Sequence, residues 1–107
     1  MTVITNSNIK CTIALAALES VLDPEIGLNV VDLGLIYQIN FDETEMKIYV
    51  TMTLTTQFCP MGESITGAVK RVLESTFERE EVFIALSFEP LWNHERVSEE
   101  GQKFLNI

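Results

Sequence analysis

The chain has 107 residues, 47% apolar and 21% charged, a size and balance that suit one globular domain with its own core and exclude a disordered chain. Acidic residues outnumber basic ones 16 to 7, for a formal charge of −9. Such a surface repels phosphates and anionic headgroups, which argues against nucleic-acid and membrane partners; it favours solubility and contact with basic protein patches.

Residues 1–8 show no apolar periodicity and are expected to form a loose terminus, leaving residues 9–107 as a single domain with no linker or internal repeat. Ser7 or Asn8 is suited to cap a helix running to about Leu22. The run CTIALAAL (11–18) has the length of an export-signal core, but only Lys10 precedes it and Glu19 follows. It is better read as the amphipathic helix, with Cys11, Leu15, Leu18 and Leu22 on one face. No apolar run approaches the ~20 residues of a membrane span. Cys11 and Cys59 lie far apart without a CxxC, so a reducing cytoplasm is expected rather than a disulfide framework.

DPEIGLNVVDLGLIY (23–37) follows. Asp23 and Pro24 suit the first two positions of a type I turn, and Gly27 and Gly34 mark an ordered loop that enters a strand over about 35–41. DETE (42–45) is read as a hairpin loop, and MKIYVTMTL (46–54) as a strand. Its Met46, Ile48, Val50, Met52 and Leu54 share an apolar face, against Lys47, Tyr49, Thr51 and Thr53 on the other. Residues 60–78 carry a helical apolar stripe through Ile65, Ala68, Val69, Val72, Leu73 and Phe77, with Pro60 fitting the first position. EVFIALSFEP (81–90) alternates as a third strand, and Ser98 begins a short terminal helix. The order α-β-β-α-β-(α) predicts a small two-layer α/β (α+β) sandwich, a mixed three-stranded sheet with helices on one face.

The stretch LTTQFCPMG (54–62) places Cys59 at or just before a helix N-terminus. Unpaired amide hydrogens there favour an anion and raise the thiolate fraction, while Glu63 in the same turn opposes this. Thr55, Thr56 and Gln57 are placed to donate hydrogen bonds to a thiolate or ligand, or to satisfy their own loop backbone. Phe58 reads as a packing anchor and Cys11 as a small core residue. Among the carboxylates, Asp23 and Glu25 sit in a turn, where capping is the ordinary role. Asp32, flanked by Val30, Val31, Leu33 and Leu35, is expected to be the most buried carboxylate, bonded to backbone N–H groups or facing Cys59. Trp92 reads as a core lid or, less well, as an exposed contact residue. With His94 the only histidine, the chain lacks the four side chains of a stable zinc site, and it has no phosphate loop, Ser/His/Asp set or HExxH.

DPEIGLNVVDLGLIY, LTTQFCPMG and EPLW, in this order and spacing, resemble the metal–sulfur cluster assembly factors of the SufT type, relatives of the PaaD subunit family and of the eukaryotic cytosolic targeting factors for iron–sulfur proteins. The resemblance covers residues 9–106. It implies a non-enzymatic role in maturing iron–sulfur proteins. Cys59 and Thr56 match the family's T-x-x-CP motif, Asp23, Pro24 and Glu25 its DPE turn, and Asp32 its VDLG aspartate. It also implies partners among assembly scaffolds, client apoproteins or a second copy, with iron or a cluster held transiently and no stably bound cofactor. The alternative is an accessory subunit of an oxygenase-type complex acting by contact, as in PaaD.

Overall fold

The structure is a computed structural model that describes residues 3–56 and 62–106. Helix α1 (Asn8–Leu18) begins where the Ser7 side chain accepts from the Lys10 N–H. It stops four residues earlier than the periodicity predicts. The backbone of residues 21–23 turns instead to pair with residues 28–30: Val30 N–H donates to Val21 and Asp23 N–H to Leu28. Pro24 disfavours helical geometry at Asp23 and so helps end the helix. Val21 is consequently buried and Leu22 is left 55% exposed, which corrects the placement of Leu22 on the core face.

Strand β2 (Ile36–Asp42) pairs antiparallel with β3 (Lys47–Met52), and β3 pairs parallel with β4 (Glu81–Leu86) after the crossover helix α2 (Gly62–Thr76). The sheet has four strands where the sequence predicts three. Ile4–Thr5, inside the segment read as a loose terminus, form β1 and pair parallel with β2. Asn6 extends that ladder with its side chain, donating Nδ2–H to the Phe41 carbonyl at 2.8 Å and accepting the Phe41 N–H at 2.9 Å. An amide side chain here replaces the next backbone rung, a contact that periodicity does not encode. A 3₁₀ turn (His94–Arg96) and α3 (Glu99–Leu105), capped by Ser98, complete the chain.

One sheet face is apolar. Ile39, Phe41, Ile48, Val50 and Val82 pack with Ala14 and Leu18 of α1 and Ile65, Val69 and Leu73 of α2 in one cluster. The opposite face carries Gln38, Tyr49 and Phe83, all exposed. Thr53 departs from the alternation. The register shifts between Ile36 and Gln38, the β3 ladder ends at Met52, and Thr53 donates its N–H to Leu35 with its side chain fully buried.

The segment 90–98 straps the loop that precedes β2. Trp92 Nε1–H donates to the Leu33 carbonyl at 2.6 Å, Arg96 Nε–H to Gly34, and the Tyr37 hydroxyl to Pro90 at 2.6 Å. The Arg96 guanidinium lies 4.0 Å from the Tyr37 ring centroid. Trp92 is half-buried against the core, in keeping with the lid reading. Gly34 has φ +75°, and a Cβ there would stand 2.2 Å from the Arg96 carbonyl oxygen.

Gly34→Ala combines left-handed strain with a backbone clash and should cost about 2–4 kcal/mol, read as a lowered urea midpoint with an unchanged slope. Burial raises the Cys11 thiol above its ordinary value, partly opposed by a hydrogen bond with Thr5. Folding therefore favours the neutral thiol. The stability this contributes is complete below the ordinary thiol range and is lost as pH rises through the raised value. Cys11→Ala should flatten the alkaline limb of a stability-against-pH curve measured by thermal melts.

Candidate functional site

The DPE turn is built by its aspartate. Asp23 Oδ1 accepts the N–H groups of Glu25 (2.9 Å) and Ile26 (3.3 Å), and its carbonyl accepts that of Gly27 at 2.7 Å. Gly27 takes φ +83°, the left-handed position that closes the turn. Asp23 is 2% exposed, so it, rather than Asp32, is the most buried carboxylate among the described residues. The reason is local: a turn that folds onto its own capping oxygen hides that oxygen. Glu25 points into solvent.

This turn lies against the first three turns of α2. Val21, Leu22 and Pro24 on one side and Ser64, Ile65 and Arg71 on the other line a cleft of about 310 Å³. Leu54 packs at the start of the helix, where a Cβ on Gly62 would come within 2.9 Å of Leu54 Cδ1. The DPE turn and the end of the 46–54 segment therefore both meet the N-terminal part of α2, although Asp23 and Leu54 are 31 positions apart in sequence. Ser64 and Arg71 were not foreseen in this cleft; both are polar residues of an amphipathic helix, and no local signal distinguishes them. Thr55 is half-buried and Thr56 exposed.

Asp32 belongs to a different network. Its Oδ2 accepts from Asn29 Nδ2 at 2.7 Å and its Oδ1 from the Ser98 hydroxyl at 2.8 Å, while Ser98 N–H donates to the Asp32 carbonyl. Asn29 Oδ1 in turn accepts the N–H groups of Val31 and Asp32. The carboxylate thus takes side-chain donors, not the backbone donors expected. It ties the VDLG loop to the cap of α3 and borders a small cavity with Leu15, Ile36 and Arg96 rather than the cleft beside Pro24. Ser98 was legible as the start of a short helix, but its role as a donor to Asp32, 66 positions away, was not.

Cys59, Gln57, Phe58 and Pro60 lie outside the described residues, and with them the expected thiolate setting and the first helical position. Cys11 is 5% exposed in the core, as its helical spacing predicts. His94 is exposed and meets the Trp92 ring edge-on. Among the described residues no three His, Cys, Asp or Glu side chains are grouped to hold a metal ion, and no helix is long and apolar enough to cross a membrane.

The family model described as "Iron-sulfur cluster assembly protein" matches residues 13–84. A Bacillus subtilis protein named Fe-S protein maturation auxiliary factor YitW is 34% identical over 93 residues, 87% of this chain and 90% of the relative. The Staphylococcus aureus Fe-S protein maturation auxiliary factor SufT is 37% identical over 87 residues, 81% of this chain and 98% of the relative. The crystal structure of a domain of unknown function from Bacillus anthracis superposes with a TM-score of 0.83 at 36% identity, covering 90% of this chain and 91% of that one. The chain belongs to the iron–sulfur cluster assembly protein family.

Proposed function

We propose that this protein is a non-enzymatic auxiliary factor in the maturation of iron–sulfur proteins, with Cys59 as its transient metal or cluster ligand or its partner-contact thiol. The observation that carries the reading is the family match over 13–84, which spans Cys59, together with relatives named as maturation factors. Those names give no support to an oxygenase accessory subunit.

The chain's own chemistry narrows the ligand. A thiolate is the form that binds iron, and Cys11 is sealed among aliphatic side chains with its thiol held neutral by burial. That leaves Cys59 as the sulfur for the work. One thiolate per chain falls short of the four ligands of a [2Fe–2S] or [4Fe–4S] cluster. Any cluster handled here is shared with an assembly scaffold, a client apoprotein or a second copy, and passes by ligand exchange. Each exchange forms one iron–thiolate bond and breaks another, with no change of oxidation state. This suits a factor that hands on its cargo. In this reading Thr55, Thr56 and Glu25 support the site from the converging segments. Asp23 supports it indirectly, by fixing the turn that faces α2, and Asp32 by holding the VDLG loop. A cytoplasmic location fits the paired demands of a free thiol and a labile cluster.

Two measurements test the reading. Iodoacetamide at neutral pH should modify one thiol per native chain and two after unfolding, and the native reaction should vanish in Cys59→Ser. In an anaerobic assay with iron, sulfide and an apo-[4Fe–4S] client, Cys59→Ser should slow client maturation by roughly tenfold with an unchanged melting temperature. Equal rates for wild type and Cys59→Ser would refute the ligand role. Asp32→Ala should behave oppositely, lowering stability by about 1–3 kcal/mol through the unpaired Ser98 and Asn29 donors while its native thiol reactivity is retained.

A further inference from the structure

β4 is the last strand of the sheet, and among the described residues no strand pairs with its outer edge. Glu81 and Ser87 donate their N–H groups toward β3, to the carbonyls of Met46 and Met52. Strand alternation therefore turns the N–H and C=O groups of Val82, Ile84 and Leu86 outward. The Val82 N–H is covered by the Glu74 carboxylate, which Lys70 holds at 2.5 Å. The next two outward rungs, Ile84 and Leu86, meet no backbone partner among the described residues, and open rungs at a sheet edge template another strand.

The side chains beside those rungs are also incompletely covered. A groove of about 480 Å³ runs between β4 and the N-terminal half of α2, floored by Ile84 and Leu86 and walled by Thr66 and Gly67. Ile84 and Leu86 take the core-facing register opposite Val50 and Met52. Leu86 nevertheless remains 46% exposed, and Gly67 leaves the helix wall without a side chain. On the other sheet face Phe83 stacks on Tyr49, with both rings partly exposed. Charge at the groove is one-sided. Lys70 is engaged by Glu74, whereas Glu63 lines the groove with no ion pair among the described residues.

The geometry points to β4 as a docking edge for an extended segment of a partner polypeptide, with aliphatic residues at alternate positions and a basic residue facing Glu63. Backbone pairing fixes the extended conformation, and the apolar groove takes every second side chain. Charge sets the sign of the partner. A second copy would bring a further −9 to the contact, whereas a basic segment is drawn to it. This docking rests on the sheet edge, its groove and their charge, and holds whether or not Cys59 handles metal.

The test titrates isotope-labelled full-length protein with two blocked hexapeptides, Lys-Val and Glu-Val each repeated three times. The Lys-Val peptide should bind saturably, shift the Ile84 and Leu86 amide resonances and slow their hydrogen exchange; the Glu-Val peptide should not. Leu86→Pro removes an outward N–H that β3 does not use and should weaken binding about tenfold or more. Gly67→Leu fills the groove from a helix position where a new Cβ meets only the tip of Arg71; it should weaken binding similarly and guards against a misfolded proline variant. Binding of Lys-Val to Gly67→Leu as tight as to wild type, equal binding of Glu-Val, or shifts confined to other residues would overturn the proposal. So would a wild-type dimer in sedimentation that Leu86→Pro abolishes, since the edge would then serve a second copy.

Discussion

The approach of the Arg96 carbonyl to the Gly34 α-carbon is the constraint on which the rest of the structure depends. No side chain fits in that gap, and through it the strap 90–98 closes over the loop that feeds β2. Four further contacts secure the closure: Trp92 on the Leu33 carbonyl, Arg96 on that of Gly34, the Tyr37 hydroxyl on Pro90, and Ser98 on Asp32. Each satisfies a polar group of a loop or a side chain that packing would otherwise strand from water. The loop is thereby fixed by contacts from a segment distant in the chain as well as by its own pairing at residues 28–30.

That closure explains why two motifs that look alike in sequence do different work. Asp23 and Asp32 both sit in loops among apolar neighbours. Asp23 turns its carboxylate inward on its own backbone and presents the Pro24 turn to α2. Asp32 spends both oxygens on Asn29 and Ser98 and binds the loop to the terminal helix. The first shapes one wall of the cleft against α2; the second ties the loop before β2 to the cap of α3. Mutational effects at the two positions therefore report on different properties, even though both belong to the resemblance that places the chain in its family.

The sheet shows a related division between its two edges. β1 is a two-residue strand whose ladder is finished by the Asn6 side chain, so that edge is short and closed off by an amide. β4 is longer, covered at its start by Glu74 and, among the described residues, unpaired at its end. Proteins usually blunt exposed edges to avoid indiscriminate pairing. A half-covered edge beside an apolar groove on an otherwise acidic domain is a different arrangement, one that admits a particular kind of strand.

The sequence by itself determined the elements whose signals are local: the Ser7 cap, the short helix after Ser98, the β2–β3 hairpin, the amphipathic α2, the core position of Cys11 and the turn at Asp23. Each rests on a period, a cap or a turn residue that acts within a few positions. The motif set also made the family legible before any coordinates. Only the tertiary structure decided the fourth strand, the early end of α1, the burial of Thr53, the partners of Asp32 and the cleft between Pro24 and Arg71. All five arise from contacts between segments distant in the chain: Asn6 with Phe41, Thr53 with Leu35, Asp32 with Ser98, or from a backbone that abandons its period to make such a contact. Periodicity reports which face a residue would take if its element continued. It does not report where another part of the chain will make that element stop.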